Sequence, residues 1–184
     1  MNIRDNNQII KFVAAAKFFC NLLKSKNKDA EIKINQILSA IADLYSLAHH
    51  LPRINLETDI VNFELYEVDK EEWETIFHSI ALLFGEQRYY WEYYDPSESI
   101  DSNIEPVIGD LADDIADIYR DIMPGLRAWN IVNDKLLPEI IFNWKEPLFG
   151  SHWGDHALSA MRVLHQIVFS KGLKNATKKS ITRR

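Results

Sequence analysis

Five aspartates, Asp110, Asp113, Asp114, Asp117 and Asp121, recur at three- and four-residue steps within VIGDLADDIADIYRDIMPGLRAW, residues 107 to 129. At about 100° per residue, Asp110, Asp114, Asp117 and Asp121 share a narrow arc of a helix, with Asp113 at its edge. Leu111, Ile115, Ile118, Ile122 and Leu126 recur at the same spacing, centred well round from that arc. The stretch therefore reads as an amphipathic helix with one acidic wall. Like charges three and four apart repel by roughly a few tenths of a kcal/mol per pair, and Arg120 alone sits inside the stripe to relieve them. Two readings fit: a solvated face, or a wall that belongs against something cationic, whether a metal ion, a histidine pair or a basic partner.

His152 and His156, in SHWGDH, lie four apart on one helix flank. That spacing can place two imidazoles on one metal, and it equally suits two histidines hydrogen-bonded at the edge of a core. Trp153 rather than Glu follows His152, so the metalloprotease pattern is absent. If the aspartate and histidine helices pack side by side, the flank with His152 and His156 meets Asp114, Asp117 or Asp121. The expectation is a structural acid–histidine network without metal or other cofactor. The alternative is a divalent metal held by Asp117, Asp121, His152 and His156. His165 falls on the other side of its helix, and His49 and His50 are placed to close a helix C-terminus, where a cation is favoured. Glu71, Glu72 and Glu74 in EEWE suggest the carboxylate ladders that hold magnesium in helical nucleotide hydrolases, but the preference of acids for a first helical turn explains them more simply. Cys20 lies on a helix that reads as buried and has no local base.

The chain of 184 residues is 47% hydrophobic, enough for one packed domain. One cysteine allows no intrachain disulfide, the polar start makes a poor signal peptide, and no uncharged stretch approaches a membrane span of ~20 residues. A cytoplasmic protein with no membrane contact is expected. Residues 171–184 hold six Lys or Arg and no acid, so the rest carries −12 against −6 for the whole; residues 57–121 alone carry −16. Such a field disfavours nucleic acid, except through the basic tail, and favours a basic protein.

The elements that would position these residues are helical. Apolar periodicity marks helices over 8–24 and 30–51, the second capped by Asp29 and ended by Pro52. A third opens at Asp69, with Glu72 completing a capping box, and stops at Gly85. Residues 53–68 and the linker SESIDSNIEP read as irregular, and no strand pattern is visible. Pro124-Gly125 should kink or end the central helix near Met123. Further helices are expected over 133–146, with Asn133 as cap and Pro147 beyond the end, and from Ser151 to about Phe169. The prediction is an all-α fold, a single helical bundle of five to six helices with irregular connecting loops over 1–170, and a mobile basic tail over 171–184. The run Tyr89, Tyr90, Trp91, Glu92, Tyr93, Tyr94, Asp95 reads either as packing over helix ends or as a recognition surface.

LADDIADIYRDIMPGL (111 to 126) followed by HWGDHALSAMRVLH (152 to 165) resembles the bacterial domain-of-unknown-function family 5063. ADLYSLAHHLP (42 to 52) and LLFGEQRYYWEYYDP (82 to 96) are similar to it as well, so the resemblance spans nearly the whole chain. It implies a single helical bacterial domain and no particular activity. By motif position it carries over Asp113, Asp114, Asp117, Tyr119, Arg120 and Asp121, and His152, Trp153, Gly154, His156, Arg162 and His165. Gly109-Asp110 stands where a Ser-like cap is expected.

Two functions are weighed. The first is a non-catalytic interaction module, an inhibitor, immunity-type protein or adaptor, that captures a basic surface with its acidic, Tyr/Trp-rich face. The second is a metal-dependent hydrolase of a nucleotide or phosphoester, with aspartates as oxygen ligands and His152 or His156 as ligand or base. Basic groups for phosphate are sparse, with Arg120 and Arg162 the nearby ones, so the interaction module ranks first.

Overall fold

The computed structural model describes residues 3–25, 29–56, 63–93 and 105–181, with backbone alone from 171 onward. Asn6 opens α1 (Asn7–Lys24) by accepting from the Gln8 and Ile9 amides, and Asp29 opens α2 (Ala30–His49) by accepting from Ile32. These caps satisfy amides that have no partner inside the helix. The two helices pack together, and Phe12, Phe19 and Leu23 of α1 and Ile37, Ile41 and Leu44 of α2 are all buried. Lys33 reaches back across them, its Nζ 2.8 Å from the Ser25 carbonyl, and places a cation at the C-terminal end of α1. At the end of α2 the cation is Lys145, whose Nζ bonds the Ala48 and His49 carbonyls at 3.0 and 2.8 Å. His50 shares that end as expected, its Nδ1 lying 2.7 Å from the Ser46 carbonyl.

Asp69 caps α3 (Lys70–Phe84) through the Glu72 amide, and Gly85, at φ 53°, ends it. A short 3-10 turn, Phe63–Tyr66, precedes α3 in the stretch read as irregular. The chain then forms β1 (Tyr89–Glu92), paired antiparallel with β2 (Val107–Asp110). This two-stranded ribbon corrects the expectation of no strands. Each strand is only four residues long, so no alternation stands out in the sequence. Most of the linker between them, with Tyr94 and Asp95, lies outside the described residues.

β2 runs directly into α4 (Leu111–Trp129), where Asp110 accepts from the Ala112 amide. α4 is the centre of the bundle, packed against α1, α3 and the last helix, and it is buried on almost every side. It does not stop at Pro124. Gly125 lets the Trp144 indole lie against the helix backbone, where a Cβ would sit 2.4 Å from the ring, and Trp144 Nε1 donates to the Ile122 carbonyl at 3.2 Å. Pro124 removes the amide that would bond the Arg120 carbonyl, yet the helix continues through it to Trp129.

Asn133 caps as expected, but the segment after it is subdivided. A 3-10 turn (Asp134–Leu136) leads to α5 (Leu137–Asn143), and then to a π-helical turn, Trp144–Phe149, that contains Pro147 rather than stopping before it. α6 (Trp153–Ile181) begins two residues later than predicted and runs past Phe169. Among the described residues the architecture is a six-helix all-α bundle with one small ribbon. No helix there is long and apolar enough to cross a membrane.

Candidate functional site

The acidic wall of α4 faces inward. Asp114 and Asp117 are 5% and 7% exposed, because α6 packs along that side and brings its histidine flank with it. His156 Nδ1 lies 2.8 Å from Asp114 Oδ1, and His152 Nδ1 lies 2.6 Å from Asp121 Oδ2. The two imidazoles stand edge to face, 4.8 Å apart. Asp117 lies between the two pairs in the α4 stripe. Its Oδ1 accepts from Trp73 Nε1 of α3 at 2.8 Å, and its Oδ2 accepts from Arg120 at 2.8 Å. His156 Nε2 is 3.7 Å from that Oδ2, too far for a hydrogen bond.

The ribbon closes one end of this cluster. Tyr90 stands opposite Gly109 in the register, and its ring crosses the glycine so closely that a Cβ there would lie 2.4 Å away. The Tyr90 hydroxyl reaches Asp114 Oδ2 at 2.6 Å and Glu92 Oε2 at 3.0 Å, and its single proton goes to the nearer oxygen. Glu92 accepts from Ser159 of α6 and lies 3.5 Å from Arg162. Gly109, read from sequence as a missing cap, is thus what admits Tyr90 to the cluster.

Burial sets the protonation chemistry. It raises Asp114, against the hydrogen bonds from His156 and Tyr90, and it raises Asp121 against the bond from His152. His156 is raised by its bond to Asp114. The Asp114–His156 pair therefore holds its protons more tightly than its members would apart. Asp113, half-buried at the edge, is raised by burial and then by the charges of Asp117 and Asp114. Tyr90 is raised by burial and by its bond to Asp114.

Asp114, Asp117, Asp121, His152 and His156 therefore converge, with Arg120 on Asp117 and Arg162 at the Glu92 end. Asp110 stands aside as a cap, 3.5 Å from Arg88. His165 packs on Phe169, away from the cluster. Of the expected partner surface, Tyr90 and Glu92 point inward, which corrects their reading as recognition residues. Alternation along a strand turns Tyr89 and Trp91 outward, and Tyr93 is exposed as well. The ligand set changes in the same way. Ligand atoms of Asp117, His152 and His156 lie within 4.8 Å of one another, whereas Asp121 is engaged on His152 Nδ1.

A second polar centre was missed. Glu72 accepts from the Tyr119 hydroxyl and from Arg127, with Lys24 Nζ 3.1 Å away. The sequence assigns this side chain to a capping box with Asp69, but only the Asp69 half forms and the Glu72 carboxylate turns to these three partners. The one sequence signal was Tyr119, a hydroxyl inside an otherwise apolar stripe.

A six-helix bundle with a polar seam between its fourth and sixth helices defines the class. The chain belongs to the family described as Domain of unknown function (DUF5063), whose model matches residues 4–170. Its fold is similar to the crystal structure of protein BF1032 from Bacteroides fragilis, with a TM-score of 0.75 at 23% identity, over 91% of this chain and 95% of that one. No curated protein matches.

Proposed function

We propose that this domain is a non-catalytic interaction module, an inhibitor, immunity-type or adaptor protein, that captures a partner with a basic surface. The observation that carries the reading is the two-faced ribbon. Trp91 and Ile108 pair across the strands and are 68% and 67% exposed, with Tyr89 beside them. The opposite face is fastened by Tyr90 to Asp114 and by Glu92 to Ser159 and Arg162. An aromatic face held rigidly from behind binds with little loss of side-chain freedom, and Trp and Tyr dominate the energetics of such contacts. The −16 charge of residues 57–121 supplies long-range attraction for a basic surface.

The test is affinity capture from host lysate, followed by titration of the purified partner. Trp91→Ala and Ile108→Ser are expected to weaken capture, Trp91→Ala by ~30-fold or more, with the melting temperature unchanged. Association should slow as salt rises. Capture indifferent to both substitutions and to salt would remove the basis for the reading.

A further inference from the structure

We propose that Asp117, His152 and His156 form a binding site for a divalent transition-metal ion of the zinc type, with Asp114 and Asp121 orienting its two imidazoles. Each histidine is held through Nδ1 by its own carboxylate, His156 by buried Asp114 at 2.8 Å and His152 by partly buried Asp121 at 2.6 Å. A histidine that donates from Nδ1 presents the lone pair of Nε2, which is how a carboxylate prepares an imidazole to ligate a metal. Asp117 supplies the third donor.

The spacing distinguishes this from a closed hydrogen-bond network. His156 Nε2 and Asp117 Oδ2 stand 3.7 Å apart, too long to bond each other. Two donors on a tetrahedral zinc lie ~3.3 Å apart, given bonds of about 2.0–2.1 Å. The full set, within 4.8 Å, closes on an ion by small side-chain rotations. Two imidazoles with one carboxylate favour zinc and its neighbours over magnesium or calcium, which take oxygen donors. Three protein ligands leave a fourth position for water, on the side where His152 is 39% exposed. Without an ion, the cation on Asp117 is Arg120, whose side chain is 43% exposed and has room to swing away. This site is separate from the outer ribbon face, so it stands or falls independently of partner capture.

The experiment is equilibrium dialysis of the full chain against zinc, manganese and magnesium separately, with metal content measured afterwards. About one zinc per chain is expected, with magnesium not retained. His152→Gln and His156→Gln should each abolish retention, and Asp121→Asn should weaken it ~10- to 100-fold. Arg120→Ala should tighten it by roughly two- to five-fold, because a competing cation is gone. His49→Gln with His50→Gln should change nothing. Circular dichroism checks that each variant is folded. If a histidine variant loses its helices, the Arg120→Ala titration and the visible spectrum of cobalt on the native chain still decide, since nitrogen ligation at low coordination gives intense bands. No retained zinc, retention that survives both histidine substitutions, or cobalt bands as weak as those of the aqueous ion would overturn the proposal.

Discussion

Glu72 gathers a phenol, a guanidinium and an ammonium at the junction of α1, α3 and α4. Burial would raise its pKa, but the bonds from Tyr119, Arg127 and Lys24 outweigh it and hold the carboxyl at about 2. The folded pKa is thus below the unfolded value of about 4.3. Its contribution is present above the unfolded pKa and is lost as pH falls through the folded one. Glu72→Gln should lower stability near neutral pH by about 1–3 kcal/mol in urea unfolding. The gap between mutant and native protein should narrow between about pH 4.3 and 2. A gap that stays constant across that window would show that the charge is not what matters at this position. Cys20, by contrast, is pushed up to about 12 by burial and stays an unreactive thiol.

At the scale of elements, Pro124-Gly125 is a seat for Trp144 rather than a helix stop. Gly125→Ala should destabilise the domain by about 1–3 kcal/mol, since a methyl meets the indole. Pro124→Ala should leave stability unchanged or higher, because the helix already passes through. Chemical denaturation of the two variants checks both, and a costly Pro124→Ala would mean that the proline shapes the helix. Sequence alone could not separate these cases, because Pro-Gly signals a stop unless a distant side chain holds the turn. Most helices were legible, since Asp29, Asp69 and Asn133 announce their starts and apolar periodicity fills their lengths. The strands were not, because YYWE is too short for a period and its partner VIGD lies beyond a polar linker. The site was half legible. The facing of the aspartates and histidines followed from two polar flanks on two amphipathic helices, while Tyr90 entered through Gly109, a contact that no local pattern records.

At the scale of the whole molecule, the charge changes sign after residue 170, where the basic stretch begins. Among the residues whose side chains are described, Ile167 and Val168 are the last of α6 that pack on the core, and the family match ends at 170. Removing residues 171–184 should shift the melting temperature by less than about 3 °C, while taking the net charge from −6 to −12. A larger fall would make the basic stretch part of the fold, or reveal self-repulsion that it relieves. The pairing of α4 with α6 also dictates an order of events during translation. His152 follows Asp121 by 31 residues, and His156 follows Asp114 by 42. At about 5–20 residues per second, α4 is made seconds before the histidines that neutralise it. Throughout that interval Asp114 and Asp121 are without the imidazoles of α6, so their burial in this seam waits for the last helix.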